Sequence, residues 1–343
     1  MEKPLNTNMQ TPLISILIPF KNTESYLSDC LNSIVQQTYS NWELLIVDDG
    51  SNDESYALVQ NYANKDARIC LLRNEGSGII EALRTAYKQA KGRFVTRMDS
   101  DDVMALNKLE QMQKSLVTFG EGYLALGQVR YFSEAGIGNG YKRYETWLNS
   151  LTSQGTNFDE IYKECVVPSP CWMVYKTDFE HCGGFNANRY PEDYDLAFRF
   201  FQQELKCIPS NEILHHWRDY PVRTSRVDTH YAENSFLELK IHYFLKLSHD
   251  KEKKIIIWGA GTKGKKVAQI LIYKNTSFDW VCDNPKKIGK DIYNTLLKPF
   301  ESLTEIKNYQ CIVTVANREE QLEIEQYFKS HKKTPMKDYF FFC

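Results

Sequence analysis

Three short acidic stretches carry residue types that could do chemistry: "VDDGS" with Asp48 and Asp49, "MDSDD" with Asp99, Asp101 and Asp102, and "PEDYDL" with Glu192 and Asp193. Each has a plain reading. Asp, Gly and Ser suit a turn leaving a strand, "DSDD" can cap the next helix, and acids in a first helical turn are favoured by the helix dipole. The functional reading rests on placement. The first two stretches follow apolar runs, and an open α/β sheet keeps its ligand crevice at such strand ends. Several carboxylates in one crevice repel each other unless a positive charge sits among them. A divalent cation, Mn²⁺ or Mg²⁺, answers that need and retains phosphate oxygens in its shell. Asp193 has the chemistry of a general base that takes a proton from an attacking hydroxyl, with Glu192 beside it.

The elements that must position these residues alternate. Apolar runs at 13–19, 42–49, 68–72 and 93–98 read as strands. Between them, apolar residues at helical spacing mark helices near 26–35, 56–62 and 79–90. That order predicts an α/β domain with a parallel sheet and helical crossovers. Further on, 123–132 reads as one strand and 192–203 as a helix burying Tyr194, Ala197, Phe198 and Phe201. The charged run "LSHDKEKK" (247–254) is the expected linker, which sets domains at 1–250 and 251–343.

Composition narrows the function. The 42 basic and 44 acidic residues leave a net charge of −2, giving no electrostatic reason to expect nucleic acid as a partner. No run approaches the ~20 apolar residues of a membrane helix, and the first residues lack the order of a secretory signal. The 9 cysteines are scattered without metal-like spacing, which reads as reduced thiols in a cytoplasmic protein. Peripheral association with the inner face of a membrane is left open.

The succession of "PF", "VDDGS", "MDSDD" and "GGF" before "PEDYDL" resembles the family 2 glycosyltransferases, which have the GT-A nucleotide-diphospho-sugar transferase fold. The resemblance extends through "GNGYKRYETWLNSL", "PSPCWMVYKTDFEHCGGF" and "WRDYPVRTSR" and covers roughly residues 13–245. It implies an inverting transferase that moves a sugar from a UDP- or GDP-sugar to a glycan or lipid-linked acceptor in bacterial surface glycan synthesis. Pro19, Phe20, Asn22 and Glu24 would line base and ribose, and Asp49 with Asp48 would accept from the base. Asp99 would approach the ribose and the metal, Asp101 would hold the metal, and Asp193 with Glu192 would form the catalytic pair. Many relatives have a metal-binding histidine where this chain has Tyr220. His215 and His216 are neighbours on a strand, so at most one of them can reach the site. Arg218, Arg223 and Arg226 are alternative partners for a diphosphate, and Trp147, Trp172 and Trp217 are candidates for an acceptor crevice.

After the linker, "IIIWGAGTKGKKVAQIL" carries G-x-G-x-x-G at Gly259, Gly261 and Gly264 between an expected strand and helix. Asp283 follows at the end of the next strand, the context of a dinucleotide fingerprint. About ninety residues allow only one mononucleotide-binding half, with further strands at 311–317 and at the end of the chain. This is read as a small Rossmann-like βαβ accessory domain that either binds a nucleotide or serves assembly. An NAD(P)-linked oxidoreductase and a non-catalytic nucleotide-sugar-binding protein are the alternative readings of the whole chain.

Overall fold

The computed structural model describes residues 11–221, 223 and 236–343. The chain divides into two compact units: residues 158–166 and 222–343 make the second, and the rest makes the first.

The first unit opens with β1 (Ile14–Phe20), α1 (Glu24–Val35), β2 (Trp42–Asp48), α2 (Ser55–Ala63), β3 (Ile69–Arg73), α3 (Ile79–Lys88) and β4 (Phe94–Arg97). These four strands are parallel, in the order β3-β2-β1-β4. Strands covered on both faces read as continuous apolar runs, and in β1 every residue except Pro19 is buried. The elements that follow are β5 (Val103–Met104), α4 (Lys108–Phe119), β6 (Tyr123–Leu126), β7 (Gln128–Phe132), α5 (Asn139–Gln154), β8 (Trp172–Tyr175), α6 (Lys176–His181), α7 (Glu192–Gln202), β9 (Lys206–Ile208) and β10 (Ile213–Arg218). β8 joins β4 antiparallel, and β6 and β9 complete a seven-stranded sheet. A separate small sheet sets β10 between β5 and β7.

The stretch 123–132 is therefore two strands in two sheets. The chain changes sheets at Gly127, where a Cβ would lie 2.5 Å from the Leu214 Cβ. Only glycine admits β10 that close. Gly127→Ala should cost about 1–3 kcal/mol through overpacking, read from the urea midpoint. An unchanged midpoint would mean that Leu214 moves aside freely. In α7, Phe200 is fully buried and Phe201 only partly so, because this helix is covered on more than one side.

The second unit contains α8 (Leu237–Tyr243), β11 (Lys254–Trp258), α9 (Thr262–Tyr273), β12 (Phe278–Cys282), β13 (Asp291–Ile292), β14 (Thr295–Pro299), β15 (Tyr309–Val313), α10 (Arg318–Ser330) and β16 (Tyr339–Phe341). Five strands run parallel in the order β14-β12-β11-β15-β16, with β13 a hairpin partner of β14. That order turns back at β11, as in a doubly wound nucleotide-binding sheet. β14 goes unannounced in sequence, since only Leu297 of its five residues is buried.

Residues 247–254 lie inside this unit. α8 buries Leu237, Leu239, Ile241 and Tyr243 and packs on α9, while Tyr162 stacks on Phe342 with centroids 5.4 Å apart. These long-range contacts extend the unit upstream of the charged run. Among the described residues, no helix is long and apolar enough to cross a membrane. All nine cysteines are free thiols.

Candidate active site

The first acidic loop leaves β2 beside the end of β1. Asp48 is buried, and its Oδ1 accepts from the Ser51 amide at 2.9 Å. Asp49 Oδ1 accepts from Asn74 Nδ2 at 2.6 Å and from the Gly78 amide at 2.9 Å, and Lys21 Nζ lies 3.9 Å from Oδ2. Asn22 Oδ1 accepts from the Asn52 amide at 2.8 Å, and Glu24 Oε2 accepts from the Glu54 amide at 3.1 Å. These bonds pin the loops after β1 and β2 to each other. Asn22 and Glu24 thus shape the floor, Phe20 is buried within it, and Pro19 is partly exposed. Asn74 and Lys21 went unmarked because neither belongs to an acidic run.

The second acidic loop leaves β4, on the other side of β1. Adjacent strands are ~4.8 Å apart, so β2 and β4 end about 10 Å from each other, within the span of one nucleoside diphosphate. Its three aspartates have different surroundings. Asp102 is fully buried: Oδ2 meets His215 Nε2 at 3.0 Å and Oδ1 accepts from the Arg218 amide at 2.7 Å. It is not the cap of α4, where Asn107 stands. His215 Nδ1 faces Lys108 Nζ at 3.4 Å, and Lys108 donates to the Pro170 carbonyl at 2.5 Å. Burial pushes the Lys108 pKa down. His215 therefore belongs to the core behind the loop, and half-buried His216 has its pKa lowered by burial and then by Arg130.

Asp101 is held differently. Its Oδ2 accepts from the Tyr220 hydroxyl at 2.8 Å, and the Tyr220 ring rests 4.5 Å from that of Tyr26. Arg218 Nε donates to the Asp101 carbonyl at 2.8 Å and Nη2 to Asp29 at 2.8 Å, with the guanidinium over Tyr26 and Phe132. Arg218 thus braces the loop. Arg223 is buried, and Arg226 lies outside the described residues.

The third acidic element begins α7, and one residue joins it to the second. Arg97, the last residue of β4, is buried; its Nη1 meets Glu192 Oε1 at 2.8 Å and its Nη2 meets Asp99 Oδ1 at 3.1 Å. Burial opposes the Arg97 charge, but Asp99, Glu192 and Asp193 outweigh it and its pKa is raised. Asp193 is the partly exposed member, and its Oδ1 accepts from the Tyr194 amide at 2.7 Å. Its pKa is pushed up to about 7, first by desolvation and then by the charge of Glu192. Asp195, one turn in, is buried between Arg189 at 3.0 Å and Arg199 at 2.8 Å. Arg199 also donates to the Cys182 and Gly184 carbonyls, which holds the preceding "CGGF" turn. Of the tryptophans, Trp172 is core, stacked on Phe179, Trp217 stacks on Tyr131 at 5.1 Å, and Trp147 is half-buried beside Tyr144.

Among the described residues, no three His, Cys, Asp or Glu side chains are grouped to hold a metal ion. The Asp101 carboxylate beside a hydroxyl is a hard oxygen set. It suits an ion that arrives with a diphosphate and takes one or two protein carboxylates, rather than a preformed protein cage. Asp99 has one oxygen engaged by the Arg97 guanidinium and Asp101 one by the Tyr220 hydroxyl.

In the second unit, Gly259 has φ +115°, and a Cβ at Gly264 would run into the Gly259 carbonyl oxygen. That oxygen accepts from Trp280 Nε1 at 2.9 Å, so the turn is tightly filled. Gly261 opens α9 with free space around it. Asp283 is exposed just past β12, and Lys287 Nζ reaches the Ala260 carbonyl at 2.8 Å.

A parallel β3-β2-β1-β4 sheet with acidic loops after β2 and β4, and an acidic helix start joined to the second loop, defines the GT-A class of nucleotide-diphospho-sugar transferase folds. The Staphylococcus aureus TarS fragment 1–349 with UDP-GlcNAc shares this fold, at a TM-score of 0.54 and 17% identity, over 75% of this chain and 71% of that one. So does the mannosyltransferase PcManGT of Pyrobaculum calidifontis with GDP-Man and Mn²⁺, at a TM-score of 0.50 and 17% identity, over 77% and 70% of the two chains. Residues 15–183 match the glycosyl transferase family 2 model, and this region belongs to that family. The Escherichia coli protein WfgD, a UDP-Glc:α-D-GlcNAc-diphosphoundecaprenol β-1,3-glucosyltransferase, is 44% identical over 110 residues, 32% of this chain and 42% of that one. The chain spans 32% and 42% of the lengths of the first two curated relatives it matches.

Proposed function

We propose that this chain is an inverting glycosyltransferase that moves a sugar from a UDP- or GDP-sugar to a hydroxyl acceptor in surface glycan synthesis. The observation that carries the reading is Arg97, which joins donor-side Asp99 to Glu192 and so brings the raised-pKa carboxyl of Asp193 next to the donor loop. The acceptor oxygen attacks the anomeric carbon and its proton goes to Asp193. The bond from that carbon to the diphosphate oxygen breaks, and nucleoside diphosphate leaves with the electron pair. A divalent cation held through Asp101 would offset the charge that develops on the diphosphate. Asp48, Asp49 and the floor shaped by Asn22 and Glu24 would receive the base and ribose.

By analogy with WfgD, a lipid-linked glycan is the acceptor class, reached at the cytoplasmic face of the membrane. In the second unit, the glycine turn and the start of α9 would take the phosphate of a nucleotide, supported by the close approach at Gly264 and by Lys287 beside the turn.

Donor selection is the direct test. The matching nucleotide sugar with Mn²⁺ or Mg²⁺ should raise Tm by mass action and release nucleoside diphosphate when a glycan acceptor is added. Neither effect across UDP- and GDP-sugars would overturn the reading.

A further inference from the structure

We propose that Arg97 is the positioning residue of this site: a buried clamp that couples donor occupancy at Asp99 to the setting of the Glu192–Asp193 pair. This inference rests on the transferase reading above. Three observations point to it. One guanidinium bridges two acidic elements 93 residues apart in sequence, with Nη1 on Glu192 and Nη2 on Asp99. The pairing is selective, since the neighbouring Asp193 makes its short bond to the Tyr194 amide instead. The cluster is also incomplete within the protein: Arg97 Nε and Glu192 Oε2 are buried without a hydrogen-bond partner among the described residues. A buried polar atom left so costs about 1–3 kcal/mol. A fold retains such atoms readily where a polar ligand completes them, and sugar hydroxyls have the right chemistry.

The clamp also assigns roles to two adjacent acids. Glu192 is neutralised by a guanidinium in a fixed geometry. Asp193 makes no direct bond to the guanidinium and is partly exposed, so it is the carboxylate able to meet an acceptor hydroxyl. Arg97 reaches the acceptor only through these neighbours.

Arg97→Lys and Arg97→Met test this. Lysine keeps the charge but has one ammonium, which cannot span both carboxylates as a planar fork does. In Arg97→Lys, affinity for UDP and GDP should stay within about threefold, while kcat falls by roughly 10–100-fold, the range of a misplaced catalytic group. In the wild-type protein, UDP or GDP should slow amide exchange in α7; in Arg97→Lys that protection should vanish with nucleotide still bound. Arg97→Met should cost far less, in both Tm and kcat, when Glu192→Gln is already present, because Glu192, the more deeply buried of the two paired carboxylates, is then not left as an unpaired anion.

Ligand-induced protection of α7 that persists in Arg97→Lys, or additive effects of Arg97→Met and Glu192→Gln, would overturn the clamp. Failure of the transferase reading looks different: the wild-type protein then releases no nucleoside diphosphate, while exchange and the stability cycle still report on Arg97.

Discussion

Asp193→Asn should abolish sugar transfer and at the same time make the protein more stable above neutral pH. The loss in kcat is expected at about 10²–10⁴-fold, the contribution of a positioned general base, with donor binding unchanged because Asp193 lies outside the two donor loops. The gain in stability follows from the sign of the pKa shift. The Asp193 carboxyl is raised from 3.8 to about 7 in the folded protein, so the native state holds a proton that the unfolded chain has released. Its stabilising effect is complete below pH ~4 and is lost as pH rises through about 7. Asparagine removes that loss, worth about 1–2 kcal/mol after allowing for solvent at this partly exposed group. Wild type and variant should therefore unfold alike near pH 4 and diverge at pH 8, with the variant melting higher.

The wild-type kcat/KM should rise with pH through a midpoint near 7, and Glu192→Gln should move that midpoint down, since Glu192 is the second cause of the shift. A fully active Asp193→Asn would remove the base assignment. A variant that loses activity and also melts lower at pH 8 would place Asp193 in the framework instead.

The second large effect belongs to a residue that makes the site without entering it. Asp102→Ala should cost about 2–6 kcal/mol, since each buried donor left without its acceptor costs about 1–3 kcal/mol. It strips His215 Nε2 and the Arg218 amide of their acceptor at once, in a region fully shielded from water. The loop with Asp99 and Asp101 depends on that anchor, so UDP or GDP affinity should fall together with stability, read by calorimetry on the folded fraction. Asp102→Asn keeps an acceptor for the Arg218 amide and should retain a larger share of both. If Asp102→Ala melts within a degree or two of the wild type, the Asp102–His215 pair holds neither sheet nor loop.

Local pattern alone determined much of this protein. Unbroken apolar runs have to be buried on both faces, so β1, β2 and β4 and their helical crossovers were legible, and the acidic stretches mark where those strands stop. The start of α7 and the strand–glycine–helix at Gly259 to Gly264 were readable for the same reason. What the sequence could not convey is where side chains meet at long range. Asp99, Asp101 and Asp102 look equivalent in "DSDD", yet one is held by an arginine, one by a tyrosine hydroxyl and one by a buried histidine.

Arg97 reads as an ordinary strand residue until tertiary contacts bring Glu192 to it. The division of 123–132 into two sheets depends on how near Leu214 comes to Gly127. The upstream extent of the second unit depends on Tyr162 meeting Phe342. Periodicity reports which face of an element is apolar, a property of neighbours along the chain. Hydrogen bonds and ion pairs between distant segments depend on their relative placement, and only the folded chain decides that.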